Sequence, residues 1–166
     1  MSGTEQEKAF LARAAEAIPG IPGYRERSGR RRTDEQLRDF LAGCIDDLVG
    51  KFDEIRSVAD EEGDVDMVED LQRLGERFGR TADALRTADY SGCGFFDDES
   101  PEDEQISRIC GYDLAMLEDL ELLSSDIGAL KYESIGTLTL REVEGTLASI
   151  DLRVANRKDL FERSDA

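Results

Sequence analysis

Thr33-Asp-Glu-Gln-Leu-Arg-Asp-Phe-Leu-Ala-Gly-Cys-Ile-Asp-Asp-Leu-Val-Gly-Lys-Phe-Asp-Glu-Ile-Arg-Ser-Val58 places Leu37, Phe40, Leu41, Cys44, Ile45, Leu48, Phe52, Ile55 and Val58 three and four residues apart. That spacing returns a side chain to the same face of a helix every turn, so the stretch reads as one long amphipathic helix with a single apolar stripe. Thr33 and Gln36 stand where a capping box would start it. Glu61-Glu-Gly-Asp64 breaks the pattern: Gly63 suits a left-handed helix end, and Asp64 or Asp66 can cap the next helix. The stripe resumes at Val68, Leu71, Leu74, Phe78, Ala82 and Leu85. A break this short predicts two neighbouring helices running in opposite directions.

The same period recurs further along. Ile106, Ile109, Cys110, Leu114, Leu117, Leu120, Leu123, Ile127 and Leu130 mark a third long helix. Ser100-Pro101-Glu102-Asp103 before it supplies an expected N-cap, a proline at the first helical position and acids near the positive dipole end. Val143, Leu147, Ile150, Val154 and Phe161 mark a fourth, with Thr139-Leu-Arg-Glu142 as a second expected capping box. A short leading helix over residues 4–18 carries Phe10, Leu11, Ala14, Ala15 and Ile18 and stops at Pro19-Gly20. No strand alternation of useful length appears; residues 135–140 are the one ambiguous stretch. The expected fold is all-α: an antiparallel bundle of four long helices with a short N-terminal helix. The expected organisation is a leading helix in residues 1–18, a Pro/Gly turn and Arg-rich segment in 19–32, and a bundle domain in 33–164.

With 166 residues the chain suits one domain. Its 39 acidic and 21 basic side chains give a net charge of −18. The basic residues are 17 Arg and only 4 Lys. Acid-rich, lysine-poor composition matches the bias of extreme halophiles, where salt screens the self-repulsion of such a surface. There is no run of about 20 apolar residues to span a membrane, and the first residues lack the pattern of a signal peptide. Those readings predict a cytoplasmic protein. The chain has no histidine, which removes imidazole bases, Ser-His and Cys-His nucleophile pairs and His-containing zinc or di-iron sites. Three cysteines, Cys44, Cys93 and Cys110, without C-x-x-C spacing read as reduced thiols. No phosphate-binding glycine loop is present, because Gly92-Cys-Gly94 lacks the following Lys-Ser/Thr and a preceding strand. The acidic run at 97–104 lacks EF-hand spacing. The sequence thus assigns no catalytic residue, no cofactor and no metal.

Two segments stand apart from the helical pattern. Ile18-Pro-Gly-Ile-Pro-Gly-Tyr24 is a doubled turn, followed by Arg25, Arg27, Arg30, Arg31 and Arg32 around the single Glu26. Asp89-Tyr-Ser-Gly-Cys-Gly-Phe-Phe-Asp-Asp-Glu99 comes after the second long helix. In an up-and-down bundle both segments lie at the same end. Tyr24, Tyr90, Phe95 and Phe96 are therefore expected to gather there, with the arginines beside Asp89, Asp97 and Asp98. Either the arginines pair with the loop acids in a self-neutralised cap, or Tyr24, Arg25, Arg27, Arg30, Arg31, Arg32, Tyr90, Phe95, Phe96 and Asp97 form a partner-binding surface. Cys93 reads as structural within that loop rather than as a nucleophile.

Ile21-Pro-Gly-Tyr24 with its basic stretch, Ala88-Asp-Tyr-Ser-Gly-Cys-Gly-Phe-Phe-Asp97 and Tyr112-Asp-Leu-Ala-Met-Leu-Glu-Asp119 resemble, in that order, a little-characterised family of bacterial and archaeal helical proteins. The resemblance covers residues 19–123 and departs from the family in the basic stretch, where Arg-Ser-Gly-Arg-Arg-Arg replaces a Lys-Glu-rich run. It implies a helical bundle with a shared loop and carries no activity. The expected function is a non-enzymatic adaptor or assembly subunit with a protein partner. The alternative is an RNA- or ribosome-associated factor that binds through the arginine segment.

Overall fold

The computed structural model describes residues 3–162. Two residues at the start of the expected leading segment, and residues 163–164 of the expected bundle segment, fall outside them. The described residues form helices joined by turns and irregular segments, with no strand. Five α-helices pack together: α1 (Glu5–Ala17), α2 (Arg27–Glu61), α3 (Val65–Thr87), α4 (Asp103–Gly128) and α5 (Thr137–Asn156). Two short 3-10 turns, Gly94–Asp97 and Arg157–Phe161, complete the elements. None of the helices is long and apolar enough to cross a membrane.

Local chemistry accounts for several element ends. The Thr4 side chain accepts from the Glu7 amide and starts α1. Asp64 accepts from the Met67 amide and starts α3. Between α2 and α3, Gly63 adopts a φ of 73°, a left-handed conformation that closes α2 without Cβ strain. The hairpin this makes is the most extensive helix pairing in the molecule. Leu37, Leu41, Ile45, Leu48, Phe52 and Ile55 of α2 face Leu71, Leu74, Phe78, Ala82 and Leu85 of α3 in a single core. Ile106, Ile109, Cys110, Leu117, Leu120, Leu123 and Ile127 of α4 join it, as do Val143, Leu147 and Ile150 of α5. Helix α1 lies along α4 and seals its flank with Phe10 and Ala14.

Three expected helix starts are corrected. Helix α2 begins at Arg27, not at Thr33. The Thr33 hydroxyl donates to the Gly23 carbonyl at 2.8 Å, which ties the turn segment to a helix already under way instead of capping it. The arginine segment is thus largely helical rather than a linker. Helix α4 begins at Asp103, not beside Ser100, because the Asp98 side chain takes the Ser100 amide at 3.0 Å and holds the chain in a turn. Helix α5 begins at Thr137, ahead of the Thr139 box, with buried Ile135 anchoring the preceding loop. The fourth stripe also stops early. Phe161 belongs to the terminal 3-10 turn, which folds back onto the core.

Candidate functional site: a buried charge network under an aromatic cap

The end of the molecule where α2 starts and α3 finishes collects the chain's irregular segments. Tyr24 stacks on Phe10 at 5.7 Å between ring centroids and meets Phe95 edge-on at 6.1 Å. Phe161 lies 4.8 Å from Phe96, 5.0 Å from Tyr90 and 5.8 Å from Phe95. All six rings are buried. Tyr24, Tyr90, Phe95 and Phe96 are therefore brought together, as the topology requires, and their faces point into the core.

Beneath the rings lies a set of buried charges. The Arg157 guanidinium is fully buried. It donates from Nε and Nη2 to both Asp113 oxygens, at 2.9 and 3.0 Å, and from Nη1 to Asp34 Oδ1 at 2.5 Å. Its Nη2 also donates to the Tyr24 hydroxyl at 3.1 Å, and that hydroxyl donates to Asp113 Oδ2 at 2.6 Å. The other Asp34 oxygen accepts from Nε and Nη2 of Arg38, at 3.1 and 3.0 Å. Arg38 in turn donates to the Leu85 carbonyl at the end of α3. Two arginines and two aspartates balance in sign, and two-oxygen, two-nitrogen contacts are the strong form of such pairs. The network joins the turn at Tyr24, helices α2, α3 and α4, and the C-terminal turn.

Enclosure sets the electrostatics. Burial, reinforced by Asp113, pushes the Tyr24 phenol well above its ordinary range. Burial alone would lower the Arg157 guanidinium, but Asp113, Tyr24 and Asp34 carry it well above its usual value. Both groups are held in one protonation state. The network clamps the elements together.

The arginine segment divides by side chain. Arg25 donates to both Glu7 oxygens, at 3.2 and 2.6 Å, and to Asp103 at 2.5 Å. Arg30 is buried and spends its donors on four main-chain carbonyls: Tyr24 at 2.8 Å, Arg25 at 3.1 Å, Phe95 at 2.9 Å and Asp98 at 2.7 Å. One guanidinium thus satisfies the carbonyls of both irregular segments, where unpaired buried groups would be costly. Burial lowers its pKa, against Asp98, yet an arginine stays charged. Arg31 pairs with Asp97 at 3.1 Å and covers the Phe96 ring. Arg27 stands 3.6 Å from Glu99, both exposed. Arg32 is exposed with no ion pair among the described residues. Asp89 instead accepts from the Ser91 amide, which lowers its pKa.

Asp34, Arg38, Asp113 and Arg157 are not in any motif that points to a site, although three of them carry a signal. Asp113 stands in register with Ile106, Ile109 and Cys110, Asp34 with Leu37 and Leu41, and Arg157 with Ile150, Val154 and Phe161. Charged residues in phase with an apolar stripe mark buried pairs.

Cys93 is buried, and its thiol lies 3.6 Å from Glu162. Burial and then Glu162 raise its pKa, which keeps it an unreactive thiol. Among the described residues no three Cys, Asp or Glu side chains converge on a point that could hold a metal ion.

A second feature lies on the flank. Arg13 and Ala17 of α1, Phe40, Leu41 and Cys44 of α2, and Leu117, Leu120, Glu121 and Ser124 of α4 line a groove of about 220 Å³. Its walls are apolar, and Arg13 is held at the rim by Glu16 and Glu121. Burial, helped by Asp47, raises the Cys44 thiol, so this sulfur offers packing surface. Comparison of the chain with family models, with curated proteins and with solved structures returned no match.

Proposed function

We propose that this chain is a non-enzymatic adaptor or assembly subunit, built as an antiparallel bundle of four long helices with a leading helix docked on its flank. The observation that carries the reading is the groove between α1, α2 and α4. Its volume of about 220 Å³ falls below the roughly 300–1,000 Å³ of pockets that enclose cofactors and drug-sized ligands. It suits the anchoring side chains of a partner helix laid across three helices. Half-buried Phe40 and Cys44 provide the floor, and Glu16 and Glu121 give the rim an acidic edge. A partner segment with apolar anchors flanked by basic residues complements it.

The buried charge network supports the same role. It ties α2 to α4, to the end of α3 and to the C-terminal turn, which keeps the α2 and α4 walls of the groove in one arrangement for a partner. The test is capture from native lysate in high KCl with wild type and with Phe40→Glu, each checked for folding by circular dichroism. Loss of one retained protein with Phe40→Glu supports the reading. Retention unchanged by Phe40→Glu, but lost when Arg27, Arg31 and Arg32 become Ser, moves the binding surface to the capped end.

A further inference from the structure

Helix α5 presents to solvent a face unlike the rest of this surface. Charged residues make up 36% of the chain, yet the outermost strip of α5 holds one charge, Arg141, with Glu142, Glu144, Asp151 and Arg153 to its sides. Along that strip stand Leu138 and Leu152, 70% and 64% exposed, with Gly145, Ala148 and Ala155. The opposite face of the helix is already committed, with Leu140, Val143, Leu147 and Ile150 in the core. The outer face therefore is not spare core; it is apolar surface left in water by a protein that otherwise coats itself in charge.

We propose that this face is a self-association surface, on which a second copy of the chain docks its own α5 in the opposite direction around a two-fold axis. The first argument is charge. Two molecules of net charge −18 repel unless they meet where negative charge is sparse, and the outer strip of α5 carries no carboxylate and only Arg141. A basic partner, by contrast, would gain nothing from docking there. The second argument is shape. Reversing the helix about its midpoint sets Leu138 against Ala155 of the other copy, Arg141 against Leu152, and Gly145 against Ala148. Large residues meet small ones at the ends, and small residues meet at the centre, where helix axes can approach closely. The Arg141 stem lies along Leu152 while its head stays in water. A face complementary to its own reversal is what a two-fold interface requires.

Size sets the strength. One helix of 20 residues is roughly 30 Å long at 1.5 Å per residue. A strip that long falls short of the roughly 800 Å² per partner of a stable interface. The dimer is accordingly concentration-dependent and strengthens with salt, which screens repulsion between the remaining surfaces.

Sedimentation equilibrium in molar KCl tests this with three proteins. Wild type should move from 18.5 kDa toward twice that mass as concentration rises. Leu152→Arg places a like charge opposite Arg141 at both ends of the interface and should weaken association at least tenfold; Leu152 is exposed in the single chain, so the monomer keeps its fold. Gly145→Leu separates association from folding: a Cβ there meets nothing within 4 Å in the single chain, and any residue but proline is a better helix former than glycine. It should leave the monomer folded and wedge the two helices apart at the axis, again weakening association at least tenfold. Dimerisation equal to wild type in both variants overturns the proposal. A monomeric wild type at every concentration also overturns it, and leaves this face to a different protein.

Discussion

Asp113 is enclosed in the core by Arg157 and Tyr24, which together donate to both of its oxygens. Arg157→Ala would leave that carboxylate with one neutral donor, and breaking a buried pair from one side costs about 3–5 kcal/mol. Urea unfolding should show a loss of that size. Arg153→Ala, which removes a half-exposed contact with Asp119 at 3.5 Å, should cost under about 1 kcal/mol. Equal losses would mean that the buried network is no stronger than a surface pair. Titration adds a separate signature. Burial, followed by Asp113, pushes the Cys110 thiol far up, and Tyr24 is raised as well. In the unfolded chain these groups ionise near pH ~8.5 and ~10, while the folded protein keeps their protons. The folded state then binds more protons than the unfolded one, so stability is complete below about pH 8.5 and falls as pH rises beyond it. Melting temperatures should decline from there, and Cys110→Ala should shrink the part of the decline that lies below about pH 10, leaving the shares of Cys44 and Cys93, whose thiols are also raised, and that of Tyr24.

At the scale of the element, α2 starts six residues ahead of its apparent capping box because tertiary contacts reward the extra turns. Gly29 in those turns packs against the Pro22 ring. A Cβ added there would stand 2.7 Å from Pro22 Cβ and 3.5 Å from the Gly23 carbonyl oxygen, with only a rigid ring to give way. Gly29→Ala should therefore destabilise by about 1–3 kcal/mol, the usual cost of overpacking. Gly50, on the same helix, has nothing within 4 Å of such a Cβ. Gly50→Ala should stabilise by about 0.5–1 kcal/mol through helix propensity alone. Thermal unfolding of the two variants compares them directly; a Gly29→Ala protein as stable as Gly50→Ala would mean that the turn does not dock on the helix. The α2–α3 hairpin and the α4 stripe were readable because a 3.6-residue period survives in any window of sequence. The starts of α2, α4 and α5 were not, because each depends on a contact with a distant or irregular segment that periodicity does not contain.

For the whole molecule, 39 carboxylates against 21 cations predict a protein that gains stability with salt. Unscreened repulsion acts on the compact state more than on the expanded one, and it fades as the Debye length shrinks to about 3 Å at 1 M. Melting temperature should rise along a KCl series. A flat or falling series would refute the halophilic reading of the composition.

Helical class, the hairpin at Gly63 and the meeting of Tyr24, Tyr90, Phe95 and Phe96 at one end were all determined by sequence. Each arises from spacing along the chain and from the alternation of direction that short connections impose. What the arginines do was decided only by tertiary structure. Arg30 and Arg32 are two residues apart in one basic run, yet one is buried on four carbonyls and the other is exposed. A helix turns about 200° over two residues, at 3.6 residues per turn, so neighbours of identical charge face opposite surroundings. The same holds for Asp34 and Asp113, acids like all the others in composition and distinguished by what packs over them. Burial of a charge is a property of its neighbours in space, and those neighbours come from separate stretches of the chain.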